Sequence, residues 1–506
     1  MTQLLGIALA LIILAAFVAA VLLVLRRPFR ALGILVAGMA FHNFVLMVLI
    51  RLNTPTVLIR VVQAWKEALI LVLFAMVARL AVARWRSKTL PSLQLVDWLV
   101  GILAVIAILY AVVPHFLLHS NLSLSQAVIG LRTTLLIPLL YLFGRVFKPE
   151  DRHELAWVAA VIVGSAGVVG LFGLWELWLV PTATWLSWGV NQFSAWLGYT
   201  YHGPKGLPEN FFQSTAEGPL LRRMVSTYIS PLGIAYTGLL VLPIAVAVLA
   251  SRWKASLAWT VARWAAFALL LGSIAFSLTR LAIALALFEL IALLILLRRR
   301  FLVVSTLAAA ALTVFIVLAY PDVGPLLTRN LEAVSHGAGH HLIAAGDPSL
   351  AEHSGALRGD FEYVLAHPLG TGVGSSIHRF GPNTGTGESA IFDMFGDLGL
   401  LGGIVYLVIY LAVILKGARA WVRTRGDQLW AALPLVAFVG GLGLFPITLT
   451  SSIWNDFSVT FLFWWAAGAA LSLPLWGRAG WGPPIPSPSA AKFPSPSGAG
   501  SGGGPS

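Results

Sequence analysis

The stretch QLLGIALALIILAAFVAAVLLVL, residues 3–25, runs without a charge until Arg26-Arg27 closes it. Hydrocarbon about 30 Å thick needs about 20 such residues in a helix, so this run predicts a membrane span. Met1-Thr2-Gln3 lacks the basic segment of a cleavable signal, which makes the run a retained first helix. Comparable runs follow near 31–50, 57–78, 95–114, 126–147, 154–180, 230–250, 262–278, 281–297, 301–320, 388–415, 429–448 and 457–475. Between 262–278 and 281–297 stand only Leu278-Thr279-Arg280. The 506 residues are 58% hydrophobic and 10% charged, with a mean hydropathy of +0.87; soluble domains carry about 25% charged residues. The fold class is therefore an all-α polytopic integral membrane protein of twelve or thirteen transmembrane helices. Residues 1–480 form its membrane domain. The Pro/Gly/Ser-rich tail 481–506 is expected to be a disordered cytoplasmic extension.

A net charge of +13 would suggest nucleic acid in a soluble protein, but here the charges mark topology. Lys and Arg gather in alternate loops: Arg26/Arg27/Arg30, Arg84/Arg86/Lys88, Arg145/Lys148/Arg152, Arg252/Lys254/Arg263, Arg298–Arg300 and Lys416/Arg419/Arg423/Arg425. The positive-inside rule makes that face cytoplasmic, with the N-terminus outside and the C-terminus inside. Two long loops, 181–229 and 321–387, then lie outside. Neither shows strand alternation, and amphipathic or re-entrant helices are their expected content. The absence of cysteine excludes disulfides, thiolate metal sites and cysteine nucleophiles.

Charge at membrane depth costs on the order of 3 kcal/mol or more, so each retained ion needs a reason. Arg132, Arg280, Arg222 and Arg223 stand at outer helix ends or in the first long loop, and Arg358 in the second. Arginine on the face that the positive-inside rule disfavours points to an anionic partner, since its planar fork suits phosphate oxygens. Arg51 and Arg60 are expected to snorkel. Glu388 opens the helix near 388–415, where it either caps that helix or takes a proton from an attacking hydroxyl. Positions 389, 393 and 397 share a helical face that must point inward. His367, before Pro368, is either a turn residue or a second base. His336, His340 and His341 lack the carboxylate spacing of a metal site, so no metal and no cofactor is expected. Gly370, Gly372 and Gly374 lack the strand and Lys-Ser/Thr of a nucleotide loop. Lys66 and Glu67, inside the third run, read as a mutually neutralising buried pair.

Five matches in order resemble the O-antigen ligase and O-antigen polymerase superfamily (the Wzy-C region) over about 125–465. They are Gly130-Leu131-Arg132, Arg222/Arg223 with Ser226-Thr227-Tyr228-Ile229-Ser230-Pro231, Leu278-Thr279-Arg280, His367-Pro368-Leu369-Gly370-Thr371-Gly372, and Glu388-Ser389 followed by Gly399 and Gly402. The resemblance implies a GT-C-like, metal-independent, inverting glycosyltransferase. It would act at the outer face of a bacterial cytoplasmic membrane on polyprenyl-pyrophosphate-linked glycan, as donor and as acceptor. Membrane lipids, and in principle a chain-length regulator, would be its other partners. The ligases place His-Asn or His-Ser where this chain has Glu388-Ser389, so the pattern looks more like a polymerase. A ligase moving finished glycan to lipid A-core or another acceptor stays open. So does a transporter of lipid or solute, which would carry charges near the bilayer midplane.

Overall fold

The computed structural model describes residues 1–88, 92–113, 115–118, 121–198, 200–213, 220–251, 256–328, 348–377 and 385–472. The tail 481–506, His336, His340, His341, Arg252 and Lys254 lie outside the described residues. Twelve of the helices described are long and apolar enough to cross a membrane, which makes this an all-α polytopic membrane protein. Their outward faces carry exposed Leu11, Ile12, Val128, Ile295 and Leu307, a surface stable only against lipid.

The thirteenth expected span, near 457–475, is described over Phe457–Ser472 and is buried along nearly all of that length. It packs against Leu124–Val146, with Trp464 and Trp465 fully enclosed. The tight junction at Leu278-Thr279-Arg280 does separate two helices, Leu257–Phe276 and Arg280–Leu297. Leu278 takes a left-handed φ of 52° there, which turns the chain within three residues.

Two boundaries depart from the hydropathy pattern. The run at 57–78 is two helices, Thr56–Gln63 and Trp65–Arg86, broken at Ala64. Lys66 and Glu67 therefore occupy the first turn of a span rather than its middle. The first long loop, expected without strands, pairs Phe212–Gln213 with Leu221–Arg222 in an antiparallel ladder. It also holds the short helices Thr184–Ser187 and Val190–Leu197.

Polar contacts sort the loops onto two faces. On one face Arg27 bonds Asp151, Arg145 bonds Asp97, Arg152 pairs with Asp427 and Lys416 bonds Gln94. On the other, Arg51 bonds the Ser187 carbonyl, Arg132 pairs with Glu67 and Ser452 bonds Asp393. Of the arginine-rich loops predicted to share a side, these contacts join those at Arg27, at Arg145 and Arg152, and the helix end bearing Lys416.

The long helix Ala390–Thr424 is interrupted at Gly399, with φ 69° and ψ −177°. Only glycine adopts that conformation readily. A Cβ there would sit 2.6 Å from the Leu369 carbonyl carbon, so the kink also admits the crossing loop. Replacing Gly399 by Ala should cost about 1–3 kcal/mol from backbone strain alone, read as a lower thermal-unfolding midpoint in detergent. An unchanged midpoint would show that the break is not required.

Candidate functional site

Helix ends and loops of the second face enclose a cavity of about 630 Å³. Its wall is built from the ends of five membrane helices: His42 and Asn43 from Arg30–Arg51, Lys66 and Glu67 from Trp65–Arg86, Arg132 from Leu124–Val146, Gly233 and Tyr236 from Pro231–Ala250, and Phe457 and Ser458 from Phe457–Ser472. Arg60 and Gln63 from the short helix Thr56–Gln63 and Tyr228 from the first long loop complete it. Arg60, expected to snorkel, faces this cavity and rests over the Trp196 ring at 4.2 Å.

Its cationic side is a linked set. One Glu67 oxygen stands 3.3 Å from Lys66 Nζ and 3.4 Å from Arg132 Nη1. Both cations lie over the Phe457 ring, at 5.3 and 5.2 Å from its centroid. The other Glu67 oxygen is buried and makes no hydrogen bond among the described residues.

Its acidic side is Asp456. One carboxylate oxygen accepts the Ser458 backbone N–H at 3.1 Å and so caps Phe457–Ser472. The other faces Gly233, where a Cβ would lie 3.1 Å away. Burial pushes the Asp456 carboxyl up to about 7. The residue escaped sequence reasoning because it sits in a brief polar turn, Trp454-Asn455-Asp456, between two apolar runs. An acid retained in so short a turn was the available signal.

Arg222 and Arg223 are neighbours with opposite fates. Arg222 is buried and donates to Glu176 Oε2 at 2.8 Å and to the Glu176 and Val180 carbonyls. The same carboxylate accepts the backbone N–H groups of Val225 and Ser226. This arginine is consumed in holding the first long loop. Arg223 donates to the Ser277 carbonyl at 2.7 Å and to the Thr279 hydroxyl at 2.8 Å. Among the described residues it has no carboxylate partner. Burial, with Arg280 nearby, lowers the guanidinium to about 10. Tyr236, on the cavity wall, lies within electrostatic reach of Arg223, Asp456 and Glu388 together.

Ser389 rather than Glu388 caps the helix, accepting the Phe392 N–H at 3.2 Å. Glu388 is thereby left for other work. It is exposed, 3.8 Å from His353. The inward face expected at 389, 393 and 397 is present, with Ser389 and Asp397 buried and Asp393 bonded to Thr386 and Ser452. A smaller cavity of about 30 Å³ at Asp393 and Asp397 shares Ser452 and Asn455 with the large one.

The glycine loop does cradle an anion, and that anion is Asp397. Its carboxylate accepts the N–H groups of Gly374 and Ser376 and the hydroxyls of Ser375 and Ser376, at 2.6–3.0 Å. Gly130 allows this loop to pass, since a Cβ there would lie 2.3 Å from the Gly374 Cα.

His367 and Arg358 are not among the residues lining the cavity. The His367 ring packs on Tyr363 at 4.3 Å and its Nδ1 is 3.0 Å from the Tyr363 carbonyl, at the end of Pro348–Ala366. Arg358 is exposed and pairs with Glu362 one turn along. Glu289, buried in Arg280–Leu297, has neither carboxylate oxygen hydrogen-bonded among the described residues.

No family model matches this chain, and a search of the curated proteins returns no match.

Two predictions test these roles. Arg222→Ala strands the Glu176 carboxylate without its cation, a loss of about 3–5 kcal/mol for a buried pair. A variant with a wild-type melting profile would release Arg222 from this structural duty. The carboxyl of Asp456 sits above the ~3.9 of an unfolded aspartate, so its stabilising share is intact below that value and is lost as pH rises through about 7. Asp456→Asn keeps a cap and removes the ionisation. It should raise the melting temperature at about pH 8.5 and much less at about pH 4.5. Equal shifts at both pH values would separate the effect from ionisation.

Proposed function

We propose that this chain is a membrane glycosyltransferase that joins oligosaccharide repeat units carried on polyprenyl pyrophosphate. The observation that carries this is the cavity on the face away from the arginine-rich loops, with cations and a carboxylate on its wall. The positive-inside rule assigns that face to the outside of the membrane and both the C-terminus and the basic loops to the cytoplasm. A lipid-linked glycan could keep its tail in the bilayer while its pyrophosphate and first sugar enter the cavity from the side.

The chemistry asks for two kinds of group. Breaking the bond between the anomeric carbon and the phosphate oxygen leaves negative charge on the departing polyprenyl pyrophosphate. Fixed cations in a partly dry site stabilise that charge most effectively. Arg223 with Arg280, and Arg132 with Lys66, are the groups suited to this. The acceptor hydroxyl attacks the opposite face of the sugar, forms the new carbon–oxygen bond and gives its proton to a base, which inverts the anomeric configuration.

Glu388 is the base assigned first, accessible and within electrostatic reach of Tyr236. Asp456 is the alternative favoured by its place on the cavity wall. His367, Arg358 and Arg222 receive no direct role, because their contacts are local or structural.

With purified protein and a lipid-linked oligosaccharide, the wild type should build a ladder of products. Glu388→Gln should fold normally and lose chain extension by about 10²-fold or more, the usual weight of a general base. A near-normal ladder from Glu388→Gln, with extension lost in Asp456→Asn, would move the base to Asp456. A single addition in place of a ladder would mark a ligase. Flux into liposomes without covalent product would favour transport.

A further inference from the structure

The second face carries two cation sets, of which Lys66 and Arg132 line the cavity while Arg223 and Arg280 do not. Arg223, buried beside Arg280 and within electrostatic reach of Tyr236, has no carboxylate partner among the described residues. Lys66 and Arg132 share Glu67, whose second oxygen is buried and has no hydrogen-bond partner among the described residues. A carboxylate with an unused buried oxygen is poorly satisfied where it stands. Lys66 is itself 5% exposed, and besides Glu67 it donates to the Gln63 carbonyl at 3.2 Å. Phe457 fixes both cations from behind by its ring face, so their direction does not depend on Glu67 alone. The Arg132 and Glu67 side chains remain 45% and 36% exposed, so Glu67 has somewhere to go.

We propose that Lys66 and Arg132 form a second phosphate subsite, that Glu67 is its resident counter-ion, and that an entering phosphate group displaces Glu67 from both cations. Removing one carboxylate and admitting a doubly charged phosphate exchanges one anion for a stronger one on the same two donors, with no new cation required. The ligand class is a pyrophosphate or phosphate ester. On the function proposed above, the two subsites would hold the pyrophosphates of donor and acceptor lipids, as a polymerase needs and a ligase with another acceptor does not. That last step rests on the functional proposal; the subsite itself does not.

The test is binding to full-length protein in nanodiscs of neutral lipid, with inorganic pyrophosphate and farnesyl pyrophosphate as probes. Wild type should bind two farnesyl pyrophosphates per chain. Arg132→Met or Lys66→Met should leave one, and Arg223→Met should leave the other. Glu67→Gln should tighten the Lys66–Arg132 site by on the order of five- to tenfold, the effect of deleting one partly screened competing charge. Glu67→Asp, which keeps the charge, should stay near wild type and shows that any change is not misfolding. Tight binding of farnesyl pyrophosphate with weak binding of inorganic pyrophosphate points to a lipid source; equal binding points to a soluble phosphate ester.

One site in the wild type, or weaker binding in Glu67→Gln, would overturn the subsite. So would loss of both sites when anionic phosphatidylglycerol replaces the neutral lipid. Two sites with no sugar transfer would leave the subsite standing and remove the functional proposal instead.

Discussion

The contact on which the second face depends is the buried pair between Arg222 and Glu176. An ion inside hydrocarbon or protein must have its counter-charge and its hydrogen bonds supplied locally. Glu176 closes the end of Arg152–Leu179, and its carboxylate gathers Arg222, the Val225 and Ser226 amides and the Trp185 indole. One side chain thereby ties the first long loop to the bundle at four points. The loop then delivers Tyr228 to the cavity wall, Arg223 to Ser277 and Thr279, and Ser230 to the cap of Pro231–Ala250. Without that anchor, the residues around Tyr236 would have no fixed separation.

A second carboxylate, at the smaller cavity, does comparable work. Asp397 organises the loop of Gly374, Ser375 and Ser376, which passes Leu124–Val146 at Gly130. The loop backbone also crosses the break at Gly399, where the Leu400 amide bonds the Pro368 carbonyl. The loop from His367 to Ser376 and the helix segment from Asp397 to Leu400 thus form a structural clasp. Its glycines answer to close backbone approach rather than to a ligand.

Hydropathy was enough to find the spans, because lipid solubility is written locally, one residue after another. Charge positions grouped the loops at Arg27, Arg145/Arg152 and Lys416 for the same reason. The site was less legible. Arg222 and Arg223 look alike in sequence, yet adjacent residues at the end of a strand point to opposite sides. The strand exists only through pairing with Phe212–Gln213, a contact local pattern does not encode. Lys66 and Glu67 read as mid-membrane charges until the break at Ala64 moved them to a helix end. Arg60 looked like an interfacial side chain because nothing in its neighbourhood announces Trp196 or the cavity. Glu388 read as either a helix cap or a base, and the capping role went to its neighbour Ser389, whose hydroxyl takes the cap.

The buried helix Phe457–Ser472 has a further consequence. Ser472 is tied to Arg145 on the arginine-rich face, and the sixteen described residues from there to Phe457 rise about 24 Å, against about 30 Å of hydrocarbon. With Ser472 at one bilayer boundary, Phe457 and Asp456 fall short of the other, and the cavity floor sits below it. Lipids around this end must thin or tilt to meet it, at a modest cost for each ångström of mismatch. Membrane thickness thus becomes a variable of the protein: shorter acyl chains bring the boundary level with the floor, and longer ones bury it. The depth of the cavity is set jointly by the helix and by the lipid in which it is dissolved.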